Sequence, residues 1–240
     1  MTERDAPASF PRDLRVMVVA GVAVGVVLIG VGSRLAMLVL RLTSPDRARG
    51  VTSDDGFTIG EVSLGGTYNL LNLGAAVGLV GAFAYRLVAP WLIGPSWFRR
   101  STTGLAAGAV AGSMLIHADG VDFTLLQPTW LAIGLFIALP AAFGVAIGVA
   151  VDAVERKGRV AVTGRRRAIL PVALVVLFPL SAIILVFAAA GLFACSILRT
   201  VPVVQRIRDA KTYALAIRAT WLGIAVLGML ALVSDVQALT

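Results

Sequence analysis

The chain has 240 residues, of which 58% are hydrophobic and only 14% charged, with a mean hydropathy of +0.91 and a formal net charge of +8. That composition excludes an ordinary soluble domain. The basic excess sits in short connectors beside apolar stretches, which excludes nucleic acid as its purpose, and a lone cysteine, Cys195, excludes an intramolecular disulfide and a cysteine-rich metal site.

Residues 1–15 read as a cytoplasmic tail and residues 16–240 as one transmembrane domain. The first apolar run, 16–42, is too long for a secretory leader and no small-x-small cleavage site follows it, so it reads as an uncleaved signal anchor. Gly21 and Gly25 lie one helical turn apart within it, and Arg34 shares a helix face with Arg41. These two cations either meet phosphates at the outer interface or turn inward to pair with acidic loop residues or an anionic headgroup or substrate. The connector that follows places β-prone residues either side of Asp54-Asp55-Gly56, which predicts a small β-hairpin, with Glu61 just beyond.

The second run, 68–93, carries Gly74 and Gly78; Arg86, near its inner end, is expected to snorkel to the interface. The third, 102–118, carries Gly104, Gly108 and Gly112. Its connector holds the only histidine, His117, close to Asp119 and Asp122. The fourth run, 128–151, carries Gly144 and Gly148, while the fifth, 168–198, and the sixth, 213–233, lack glycines at that spacing. A backbone in hydrocarbon must satisfy its own hydrogen bonds and the runs lack a barrel's alternation, so the fold class is all-α: a polytopic bundle of six helices. Small residues one turn apart let helices approach closely, which predicts a tight core of the first four helices and a looser final pair. Pro140, Pro171 and Pro179 fall in or near helices and are expected to bend them.

Lys and Arg counts orient the bundle. With the amino terminus inside, the tail and the second and fourth connectors hold eleven basic residues, against Arg41, Arg47 and Arg49 outside. Tyr68 and Trp130 then mark the outer interface, and Trp91, Trp97 and Phe98 the inner one. The fifth connector breaks the rule, because six crossings put Arg199, Arg206, Arg208 and Lys211 outside. Six crossings is the favoured reading; a fifth segment that enters and returns is the alternative.

Chemistry is sparse. Asp54, Asp55, Glu61, His117, Asp119 and Asp122 should share the outer face and could hold a divalent cation, although the spacing matches no closed metal motif and no metal ligand is assigned. The plainer account is solvated turns with Asp before Gly. No cofactor is otherwise called for. Acidic residues are absent from the middle of every predicted span, and GxxxxGK[ST], GxSxG and a second histidine are absent altogether.

The phrases "GVTSDDGFTIGEV", "WLIGPSWFRR" and "HADGVDFTLLQPTWLAIGLF" resemble stretches of an uncharacterised family of bacterial multi-pass membrane proteins with no known activity. The resemblance covers roughly residues 34–152 and implies a bacterial plasma membrane, without substrate or catalytic residue. Three functions fit the chain. The leading one is a non-catalytic membrane protein that binds lipids, a membrane-protein partner or a second copy. A small-solute or ion transporter or channel would need Asn69, Asn72, Ser113 and Thr220 on one path. A membrane enzyme would use the outward carboxylate and histidine cluster, with Arg34 or Arg41 holding a headgroup.

Overall fold

The computed structural model describes residues 6–45, 50–51, 63–116, 123, 125–157, 178–198 and 201–239. Among the described residues nearly all are helical and none is in a strand. The hairpin predicted around Asp54-Asp55-Gly56 lies outside them.

Helix α1 (Ala6–Val24), a π segment (Gly25–Val31) and α2 (Gly32–Thr43) run on without a break, since Val24, Val31 and Gly32 all keep right-handed helical angles. Then follow α3 (Leu64–Val88) with a 3-10 turn (Ala89–Trp91), α4 (Ser96–Leu115), α5 (Thr129–Lys157), α6 (Pro179–Leu198), the short α7 (Pro202–Asp209) and α8 (Lys211–Leu239). Five spans are long and apolar enough to cross a membrane: the α1–α2 rod, α3 with its 3-10 turn, α5, α6 and α8. The predicted third span is α4, which has the length but is built largely from glycine, alanine and polar residues. Its small side chains suit a helix enclosed by neighbours, and α5 and α8 pack along it.

Glycine decides which helices touch. Gly21 and Gly25 of the α1–α2 rod lie backbone to backbone against Gly78 and Gly74 of α3; a Cβ on Gly21 would stand 2.7 Å from Gly78 O. The π segment extends this ridge. Its wider turn separates Gly25 from Gly30 by five residues instead of four, and Gly30 then rests on Leu71 of the same helix α3. In the second antiparallel pair Gly104, Gly108 and Gly112 of α4 face Ala141, Ile137 and Val145 of α5, and Gly144 returns the contact at Gly104 Cα and Ala107. Gly81 against Phe143 and Gly32 against Leu139 join the two pairs. The last two spans lie outside this core: 17% of the apolar window of α6 and 11% of that of α8 are buried, against 39–44% for the rod, α3 and α5.

The direction of the last helices departs from the favoured alternation. Leu180 N–H, in the first turn of α6, donates to Asn72 Oδ1 at 3.4 Å, and Gly191 lies against the Phe83 ring, so α6 runs parallel to α3 and ends where α3 ends. At that end Arg208 sits over the Trp91 ring at 5.7 Å, Tyr213 packs edge-on to it at 5.1 Å, and Arg218 Nε donates to Trp91 O at 2.9 Å. Helix α8 therefore starts there and runs parallel to α4, with Gly228 on Val110 and Leu232 on Gly112. It finishes at the opposite end, where Leu232, Val236 and Leu239 join Leu40, Ile116, Phe123 and Leu126. Arg206, Arg208 and Lys211 thus share an end with Asp13 and Arg86, whereas six simple crossings would have parted them. The return takes a full 20-residue helix, about 30 Å long at about 1.5 Å per residue, which a hairpin with equal arms could not supply. Residues 158–177, which join α5 to α6, lie outside the described residues.

This arrangement is open to a labelling test. In a Cys195→Ser background, single cysteines at Trp97 and Arg206 are expected to react with an impermeant maleimide from one side of the membrane, and cysteines at Leu64 and Ala238 from the other. Labelling of Arg206→Cys and Ala238→Cys from the same side would refute it.

Candidate functional site

The ion pairs among the described residues gather at one end of the bundle. Each antiparallel pair of helices is closed there by an arginine and an aspartate. Eight residues back from Gly21 is Asp13 and eight on from Gly78 is Arg86, so the register set by the glycines brings these two side chains together, and they form an ion pair. In the second pair, four residues back from Gly104 is Arg100 and four on from Gly144 is Gly148. A Cβ on Gly148 would stand 3.0 Å from Arg100 Cγ; its absence lets Arg100 pass to Asp152 one turn further on. Arg100 Nη2 and Nε donate to Asp152 Oδ2 at 2.6 and 3.1 Å.

Glu155 couples the two pairs, because it reaches from α5 to the same Arg86 that holds Asp13. One guanidinium therefore bridges two carboxylates from two other helices. Beyond the snorkelling expected of it, Arg86 is met by carboxylates of α1 and α5. Asp13 and Glu155 escaped the sequence reading because they lie in helical turns beyond the ends of the apolar runs: α1 begins at Ala6 and α5 continues to Lys157. The signal that would have found them is an acidic residue just beyond each apolar run, Asp13 before the first and Asp152 and Glu155 after the fourth, set among the basic residues that orient the bundle.

Two spaces open beside these pairs. A cavity of about 190 Å³ lies among Tyr85, Arg86, Pro90, Arg99, Asp152 and Glu155, and a wider one of about 360 Å³ is lined by Ser96, Arg99, Arg100, Asp152, Glu155 and Arg156. Trp97 and Phe98 stand exposed at this end, and Tyr68 and Trp130 at the other. About 34 Å of helix, at about 1.5 Å per residue, separates Tyr68 from Trp91, which matches two aromatic belts across a bilayer core.

All six residues of the expected outer cluster, Asp54, Asp55, Glu61, His117, Asp119 and Asp122, lie outside the described residues. Among the described residues no group of three or more His, Cys, Asp or Glu is placed to hold a metal ion. Arg34 and Arg41 belong to α2, toward the opposite end. Arg34 turns inward: its Nε and Nη2 are shielded from solvent and the side chain is engaged within the fold, four residues past Gly30 on the face that the π segment re-aims. Arg41 is half-buried in the last turn of α2.

With five helices of spanning length around a glycine-packed core, the fold defines a multi-pass helical membrane protein. Comparison of the chain with protein-family models, curated proteins and solved structures finds no match in any of the three.

Proposed function

We propose that the chain is a non-catalytic protein of a bacterial plasma membrane, amino terminus in the cytoplasm, that binds lipid by seating its arginine end against the anionic headgroups of the cytoplasmic leaflet. The observation that carries this reading is the collection of Arg99, Arg100, Arg156, Arg206, Arg208 and Lys211 at one end of the bundle, from elements distant in sequence. Basic residues near an anionic leaflet contribute about 1 kcal/mol each and mark the cytoplasmic side.

The closed core also favours binding over transport. Of the four polar residues that a path would need, Asn69 and Thr220 are exposed at the periphery. Asn72 is buried and accepts from the start of α6, and Ser113 donates to Val110 O of its own helix at 2.9 Å. A second reading, transport of a small anion, draws on the π segment beside the inward-turned Arg34, since such segments cluster at functional sites. It requires anion uptake into proteoliposomes that Arg34→Gln abolishes.

The lipid reading is tested by thermal unfolding of the detergent-purified protein with added lipid. Phosphatidylglycerol at about 100 times its Kd should stabilise by about 2.7 kcal/mol, a rise of about 5–10 °C for a chain of this size, and phosphatidylcholine should not. Equal midpoints in the two lipids would overturn the proposal.

A further inference from the structure

Once the charge pairs are made, two guanidinium groups beside them, those of Arg99 and Arg156, have no carboxylate partner among the described residues. Arg100 takes Asp152, and Arg86 takes Asp13 and Glu155. Arg99 gives one hydrogen bond from Nη1 to Ala89 O at 3.3 Å, and its Nε is buried without a partner. Arg156 gives its Nε to Asp152 O at 3.2 Å, within its own helix, and its side chain is otherwise exposed. Both arginines line the space of about 360 Å³, together with Ser96 at the start of α4.

The chemistry of that lining is selective. The two carboxylates present are engaged, Asp152 by Arg100 and Glu155 by the Arg86 it shares with Asp13, and the lining sets three arginines, Arg99, Arg100 and Arg156, against those two. What faces the open space is an excess of donors and of positive charge. Guanidinium groups match the oxygens of phosphate in geometry and charge, and hydrogen bonds between ionised partners are the strong ones. The space is an open groove of about 360 Å³, wider than the neighbouring one of about 190 Å³, and it is reached from the surface where a headgroup would lie. Trp97 and Phe98, the residues next along α4 from Ser96, are exposed at the depth where aromatic rings meet headgroups.

We infer that this cavity binds a phosphate group between Arg99 and Arg156, with Ser96 as a third donor. The inference rests on the lipid reading above and narrows it from a basic surface to one pocket. A phospholipid headgroup and free inorganic phosphate present the same group.

Native mass spectrometry of the full chain in detergent separates the possibilities, with phosphatidylglycerol, phosphatidylcholine and inorganic phosphate as probes. Wild type is expected to retain one tightly held phosphatidylglycerol, and Arg99→Gln and Arg156→Gln each to lower its affinity about tenfold or more. Arg156 is exposed and makes one local hydrogen bond, so its variant decides the matter if Arg99→Gln fails to fold. Displacement of the lipid by millimolar phosphate would identify a site that also takes the free ion, and resistance to it a site for the lipid; either agrees with the phosphate chemistry. If both variants retain phosphatidylglycerol like wild type while Arg206→Gln with Arg208→Gln lowers retention, the pocket is refuted and the lipid reading stands. Equal retention of the two lipids by wild type would refute the anionic-lipid reading, and since both carry a phosphate group it would refute the pocket as well if Arg99→Gln and Arg156→Gln left that retention unchanged.

Discussion

Gly25→Leu is expected to abolish recovery of folded protein, whereas Gly223→Leu should be recovered like wild type. A Cβ at Gly25 would stand 2.8 Å from Gly78 Cα and 2.9 Å from Gly74 C, both backbone atoms of α3. Overpacking of a core commonly costs about 1–3 kcal/mol because side chains shift to absorb it. No side chain intervenes here, so the helices themselves must part. Parting them gives up the contacts from Gly21 on Gly78 to Gly30 on Leu71, and in lipid such close packing is itself a main force between helices. Gly223 has nothing within 4 Å of an added Cβ, which makes it the matched control on a lipid-facing surface. Size-exclusion profiles and unfolding midpoints of the two solubilised variants provide the comparison. A monodisperse Gly25→Leu protein with a wild-type midpoint would show that the ridge does not hold the pair together.

Arg86→Met should destabilise the protein by about 2–3 kcal/mol. Loss of one partner from a buried ion pair costs about 3–5 kcal/mol, and the partial exposure of this site lowers the figure. The side chains of Asp13, Arg86 and Glu155 are 13%, 25% and 29% exposed, so water reaches them only in part. Without the guanidinium two carboxylates from different helices face one another. Asp13→Asn with Arg86→Met and Glu155→Gln should therefore regain most of the lost stability, because apolar or neutral replacement of a whole buried charge group is often close to neutral. The measurement is the unfolding midpoint in mild detergent, where the single substitution should lower it by about 5–10 °C. A single variant within about 0.5 kcal/mol of wild type would mean that the triad contributes nothing to stability.

Legibility from the sequence followed the range of each interaction. The glycine ridges could be read at sight, because spacing of one helical turn is a local property and small residues at that spacing imply close approach. Four-residue spacing nonetheless ends the first ridge at Gly25, since Gly30 joins it only through the wider turn of the π segment. The charged end is hidden for a different reason. Hydropathy trims a helix to its apolar part, and Asp13, Asp152 and Glu155 all lie in the trimmed turns.

The sequence by itself determined that this protein is helical, that several of its helices are apolar enough to cross a membrane, and that its first four long helices pack more tightly than its last two. Those conclusions depend on composition and on short periodicities, which every residue carries with it. Only the tertiary structure decided that α6 runs parallel to α3, that the basic residues of α7 join Asp13 and Arg86 at one end, and that Arg86 is shared by two helices. An apolar run reads the same in either direction across a bilayer, and an arginine beside it can meet water, phosphate or a carboxylate. The choice rests on which helix lies alongside, and that is settled by contacts between residues 50 to 130 apart in the chain.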